Sequence, residues 1–148
     1  MGRGESGEYC VTWANFRNLI MSDINYVEVQ IGCMAYAIYA EANTQSLEAK
    51  HGVGYLILNR VKSRKYGKDI CDVVYYKGQF IGISDMLKHK YREPNIEDLL
   101  KTKLIALDVF YGKVVNPVAR SLYFHDDSID MKHLWGKKTV KIDNLVFY

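Results

Sequence analysis

The chain has 148 residues, 49% of them hydrophobic and 25% charged, with a formal net charge of +3. That length fits one domain able to bury a core without staples, and the high apolar content with low net charge excludes a chain that stays disordered. No run of about 18 apolar residues occurs, so a membrane-spanning helix is excluded and no stable membrane insertion is expected. Lys and Arg are scattered, with short clusters at Lys62, Arg64, Lys65 and Lys68 and at Lys137, Lys138 and Lys141. A nucleic-acid binder carries a denser stripe, so no nucleic-acid partner is expected. The three cysteines, Cys10, Cys33 and Cys71, are odd in number and widely spaced. This argues against a disulfide framework and a four-ligand zinc site, and we read them as unpaired thiols suited to a reducing cytoplasm. Tyrosine is the outlier, with twelve against five Phe and two Trp. A flat apolar ring with a polar tip suits a polar, ring-shaped ligand or a wet interface.

From residue 1 to about 25 the chain reads as an extension, Gly-rich and polar at first. Val11 to Ile20 follows as a short helix or irregular packing segment. The first clear helix is expected from Val27 to Ala42, because Ile31, Met34, Ala35, Ile38 and Ala42 recur at spacings of three and four. Glu41 lies at the edge of that apolar stripe and in the last helical turn. Desolvation and the helix dipole both act against its charge there. Thr44 or Ser46 caps a second helix reaching about Lys62, with Gly52 and Gly54 permitting close packing of a neighbour. Ser63 to Lys90 is loop-rich and aromatic, with short helices at Asp69 to Val74 and Ser84 to Lys90. Asn95 caps the next helix, whose core face is read as Ile96, Leu99, Leu100, Leu104, Leu107, Phe110 and Tyr111, closed by Gly112. Tyr36, Tyr55 and Tyr111, within helices, are read as packing residues. Ser121–His125, Thr139–Ile142 and Leu145–Tyr148 read as short strands, with a turn at Asp143-Asn144. The fold class is α+β, mostly helical with a small antiparallel sheet near the C-terminus.

Most chemistries find no support. There is no HExxH, no CxxC and no phosphate-binding Gly-rich loop, and no GxSxG elbow. His125, Asp126, Asp127 and His133 match no metal-ligand spacing, so neither metal nor cofactor is expected. Cys33, inside an apolar helix, reads as core. What remains is a carboxylic acid at the edge of an apolar helix face, followed by a polar loop. Desolvation keeps the proton on such a group near neutral pH, as a general acid for glycosidic bond cleavage requires.

Five ordered segments carry a resemblance. Ala37-Ile-Tyr-Ala-Glu-Ala42 with Ser46-Leu-Glu48, Gly52 through Asn59-Arg-Val-Lys-Ser63, Ile70 through Gln79-Phe80, Ser121-Leu-Tyr-Phe-His125, and Thr139 through Phe147-Tyr148 resemble the motifs of the cell wall hydrolase SleB family. The resemblance spans about Gly32 to Tyr148 and sets residues 26–148 as the catalytic domain. It implies a lysozyme-like fold related to lytic transglycosylases and peptidoglycan as substrate. It also implies that Glu41, matching the family's catalytic acid, cleaves between N-acetylmuramic acid and N-acetylglucosamine. Gln79, Phe80, Tyr123 and His125 fall on motif positions expected near the substrate groove, with Tyr39, Tyr75, Tyr76 and Gln45 in or beside the motifs. Asn59 and Arg60 match the family too and are expected to satisfy buried backbone groups.

The sequence departs from the family where an Ala-Arg-Gly-Glu-like run becomes Ala42-Asn-Thr-Gln45, and where a Gly and His in the last hairpin become Asp143 and Asn144. The first departure removes the nearest second carboxylate. That favours a transglycosylase, in which Glu41 alone serves as acid and then base, over a hydrolase, although Asp69, Asp72, Asp85, Asp126 and Asp127 remain candidate partners. Similar domains serve as phage endolysins. With no secretory signal read at the N-terminus, the expectation is a monomeric endolysin held in the host cytoplasm before release to the wall. The alternative is an inactive glycan-binding module of the same fold.

Overall fold

The computed structural model describes residues 13–77, 79, 80, 95–129 and 136–148, with side chains from residue 21 onward. Among them run four helices and three strands: α1 (Trp13–Ala42), α2 (Leu47–Ser63), α3 (Ile70–Tyr75), α4 (Ile96–Phe110), β1 (Phe124–Asp126), β2 (Val140–Ile142) and β3 (Leu145–Phe147). The α+β architecture expected from the sequence is present. The helix expected at Ser84 to Lys90 lies outside the described residues, as do Cys10, Asp85, His89 and His133.

Helix α1 is longer than its periodicity suggested. It is continuous from Trp13, crossing residue 25, where the extension was expected to end. At about 1.5 Å per residue it is roughly 45 Å long. Its apolar stripe, Ile31, Met34, Ala35, Ile38 and Ala42, is fully buried, whereas Met21, Ile24, Tyr26 and Val29 are exposed. The core half of α1 packs on α2, α3 and α4.

Helix α2 starts at the cap the sequence offered. Ser46 is extended, and its hydroxyl accepts the Ala49 amide N–H at 3.2 Å. The helix ends at Arg64, in the left-handed region at φ 57°. Its two glycines set the spacing of the core. A Cβ on Gly52 would lie 3.0 Å from Phe147 and Val118, and one on Gly54 would lie 3.0 Å from Val109. Sheet and helix therefore approach α2 more closely than any larger residue permits.

Helix α4 begins at Asn95, whose side chain accepts the Glu97 and Asp98 amides. Its core face differs from the one the pattern suggested. Thr102, Ala106 and Val109 are buried, while Ile96, Leu100, Leu104 and Tyr111 are 58–75% exposed. Small residues let α4 lie close against α1 and α2, and the bulky stripe is turned outward. Tyr36 is likewise exposed rather than packed, and Tyr55 is half-buried with its hydroxyl donating to the Val114 carbonyl.

The sheet is antiparallel in the order β1-β3-β2, with Phe124 opposite Phe147 and Ile142 opposite Leu145. All three residues of the central strand β3 are buried. The β2–β3 turn forms at Asp143-Asn144 as expected, with Asp143 at φ 51°. That turn grips the α1–α2 connection. The Asp143 carboxylate accepts the Ser46 N–H at 2.7 Å, and the Gln45 side-chain oxygen accepts the Asn144 N–H at 3.4 Å.

The cysteine reading is corrected. Cys33 of α1 and Cys71 of α3 form a disulfide with Cα atoms 5.3 Å apart. Their separation of 38 residues hid a pairing that only the docking of α3 onto α1 creates.

Candidate active site

Glu41 sits in the last turn of α1, half-buried beside the fully buried Ala42. The chain then turns sharply, with the Gln45 N–H donating to the Ala42 carbonyl at 3.0 Å. Helix α2 runs alongside and brings Arg60 to the same region. Arg60 is 3% exposed, its Nε donates to the Leu122 carbonyl at 2.7 Å, and its guanidinium carbon lies 4.9 Å from the Tyr66 ring centre and 5.2 Å from that of Phe80. Its Nη1 has no hydrogen-bond partner among the described residues, so ring faces take the place of oxygen acceptors. Burial lowers the pKa of this guanidinium, opposed by Tyr66, Tyr123 and the Glu41 carboxylate. An arginine stays charged regardless. One fixed positive charge therefore stands within electrostatic reach of Glu41.

Tyr66 is 8% exposed and hydrogen-bonded to Tyr123. Burial first, and that bond second, push its pKa up to about 12, so it is a neutral phenol throughout the working range. Tyr66 lies in the segment Ser63 to Lys90, which the sequence marks only as loop-rich and aromatic. Its place two residues past the α2 cap and directly before Gly67 was the available signal. Asn59 and Arg60 satisfy backbone groups as expected, with the Asn59 amide donating to the Ala119 and Ser121 carbonyls at 2.9 and 3.0 Å.

The other residues singled out from the sequence are placed as follows. His125, on β1, has Nδ1 2.7 Å from the Asp126 carbonyl and Nε2 3.0 Å from the Tyr148 hydroxyl, and its ring stacks on Tyr148. A carbonyl only accepts, so Nδ1 donates to it, while Nε2 pairs with the Tyr148 hydroxyl. Gln79 is half-buried, its N–H donating to the Tyr76 carbonyl. Phe80 is 2% exposed and packs against Phe124 and Arg60. The Tyr39 hydroxyl accepts the Asn95 N–H and ties the end of α1 to the start of α4. Tyr75 and Tyr76 are about half exposed.

The described acidic candidates all have structural partners. Asp69 caps α3 and accepts the Tyr26 hydroxyl, and Asp72 accepts the Lys68 N–H. Asp126 accepts the Ser128 N–H, and Asp127 pairs with Lys141 at 2.6 Å. Among the described residues no group of three His, Cys, Asp or Glu could hold a metal ion.

Comparison with known proteins bears on this constellation. The chain is 27% identical over 117 residues to a spore cortex-lytic enzyme of Bacillus cereus, aligning over 78% of its own length. It spans only 42% of the length of that relative. The crystal structure of the catalytic domain of the Bacillus cereus SleB protein superposes with a TM-score of 0.64 at 27% identity, covering 80% of this chain and 88% of that one. The catalytic domain of the germination-specific lytic transglycosylase SleB from Bacillus anthracis superposes equally well, with 92% of that chain covered. A cell wall hydrolase family model matches residues 44–148, beginning three residues past Glu41. With most of its length matched by that model, the chain belongs to the cell wall hydrolase family.

Proposed function

We propose that this protein cleaves the glycan strand of peptidoglycan between N-acetylmuramic acid and N-acetylglucosamine, with Glu41 as the one general acid. The observation that carries the reading is the gathering of Glu41 with buried Arg60 and the Tyr66–Tyr123 pair, the last three within the matched cell wall hydrolase segment and Glu41 three residues before it. Glu41 gives its proton to the glycosidic oxygen as the C1–O bond breaks, leaving positive charge on the muramic sugar. The Glu41 carboxylate then takes the proton of the muramic 6-hydroxyl as that oxygen attacks C1. A 1,6-anhydro end forms and no water is consumed. The positive charge of Arg60 stands within electrostatic reach of that carboxylate. Gln45 standing where the family has an acid supports this route over attack by water. Tyr39, Gln79, Tyr123 and His125 are proposed to line the groove, with Phe80 as its floor.

A zymogram with purified peptidoglycan tests the reading. Glu41→Gln should abolish clearing while the folded state is retained, and an active variant would overturn the assignment. Product mass separates the routes, because an anhydro end is one water lighter than a hydrolytic one. Binding to wall without release of muropeptides would instead favour an inactive glycan-binding module.

The finer biological reading is a monomeric phage endolysin that accumulates in the host cytoplasm and reaches the wall on lysis. It rests on the family resemblance. The Cys33–Cys71 disulfide would then close after release, since a reducing cytoplasm keeps thiols free. Co-expression with a pore-forming holin should convert accumulation into lysis; lysis that proceeds equally well without one would count against it.

A further inference from the structure

One cavity, which shares Tyr66 with the Glu41 cluster, has walls of a distinct kind. It is an open cleft of about 430 Å³ lined by Tyr66, Gly67, Cys71, Asp72, Tyr75 and Tyr76. That volume lies within the range of small-ligand sites. Tyr75 and Tyr76 are 52% and 45% exposed, two adjacent aromatic side chains left open to solvent at the end of α3. The Tyr76 ring meets Tyr66 edge-to-face, with centroids 5.5 Å apart and planes at 85°, which fixes how it is presented. Among the cleft residues the one ionisable acid is Asp72, whose carboxylate already accepts the Lys68 N–H and sits against Gly67. Gly67 is at φ 137°, and a Cβ there would lie 2.3 Å from the Asp72 Cβ. Backbone thus presses directly on the acid.

The cleft is preorganised. Its floor residue Cys71 is bonded to Cys33 of α1, and Asp69 caps the helix beneath it. Walls that need no ordering lose less on binding. It is also continuous with the cluster above, because Tyr66 forms one wall here and bonds Tyr123 beside Arg60 there. Aromatic faces with phenolic hydroxyls and one carboxylate acceptor suit a ligand with C–H faces and many hydroxyl donors. A lone acid without a second ligand suits neither a metal nor a second bond-breaking centre.

We infer that this tyrosine cleft is a carbohydrate position, holding one N-acetylated sugar of the same glycan strand away from the bond Glu41 cleaves. The inference rests on the proposed glycan cleavage and adds where the strand is gripped. Tyr75 and Tyr76 supply stacking faces, and Asp72 accepts a sugar hydroxyl.

The test is a titration of the full chain carrying Glu41→Gln with a β-1,4-linked N-acetylglucosamine oligosaccharide. Tyr75→Ala and Tyr76→Ala, each added to that background, should weaken binding about tenfold. Tyr76→Phe should retain it, since the ring is kept, and Val115→Ala, at a position 87% exposed, serves as the control. Thermal unfolding of each variant confirms the fold, and Tyr75→Ala stays informative if Tyr76→Ala does not fold. Unchanged affinity in both alanine variants, or no binding by the Glu41→Gln parent, overturns the cleft assignment. Absence of muropeptide release by the unmodified protein, with the tyrosine effects intact, overturns the cleavage reading and leaves the cleft standing.

Discussion

The guanidinium of Arg60 lies between the rings of Tyr66 and Phe80, 4.9 and 5.2 Å from their centres, almost wholly out of solvent. A buried cation is held here by one carbonyl and two aromatic faces, so its loss removes several contacts together. Arg60→Ala should lower stability by about 2–4 kcal/mol, from a charged hydrogen bond and ring contacts. Arg60→Lys, which loses the planar fork, should recover only part of this. Chemical denaturation of both variants measures it, and a neutral alanine variant would remove Arg60 from the list of structural anchors.

The close approach at Gly52 makes a second prediction. Alanine gains about 1 kcal/mol in helix propensity over glycine. Its Cβ would press at 3.0 Å on Phe147 and Val118, both fully buried and unable to yield freely. Overpacking of this kind costs about 1–3 kcal/mol. Gly52→Ala should therefore destabilise by up to about 2 kcal/mol in urea unfolding, against the sign that propensity alone assigns.

The disulfide closes a loop of 38 residues. The chain-entropy relation gives about 4 kcal/mol for a loop of that length. Cys33→Ala with Cys71→Ala, or treatment with dithiothreitol, should lower the melting temperature by several degrees. Equal melting of oxidised and reduced protein would show that helix packing alone fixes α3.

Acid should loosen the turn between β2 and β3. Hydrogen bonds from Ser46, its hydroxyl first and its N–H second, hold the Asp143 carboxyl below its ordinary value. A depressed folded value means that the tie contributes above the usual carboxylate range and is lost as pH falls through it. Asp143→Asn, which tolerates the left-handed backbone, should show a smaller loss of stability between pH 7 and pH 3 than the parent. Melting curves across that range decide it.

Local signals in the sequence were read correctly where the structure depends on local chemistry. Ser46 and Asn95 cap their helices, the α1 stripe is buried, and Asp143-Asn144 turns the hairpin. Glu41 was placed from its position on that stripe. The α4 face was misread because apolar residues occur on more than one side of it. Ile96, Leu100 and Leu104 recur as regularly as Thr102, Ala106 and Val109, and only close approach to α1 selects the smaller set. The Cys33–Cys71 bond and the Arg60–Tyr66–Tyr123 cluster unite residues from separate segments, so no spacing rule announces them.

The grip of the last hairpin on the α1–α2 connection joins two departures from the family pattern that lie about a hundred residues apart in sequence. Gln45, where the resembled motif has an acid, offers a neutral oxygen to the Asn144 N–H, while Asp143 on the same turn supplies the negative charge to Ser46. Restoring the acid at 45 would set two carboxylates against one turn, where like charges repel. Gln45 and Asp143 thus form one contact, in which the negative charge lies on the hairpin side. Gln45→Glu should therefore cost more stability in the parent than in an Asp143→Asn background, as thermal unfolding of the single and double variants measures.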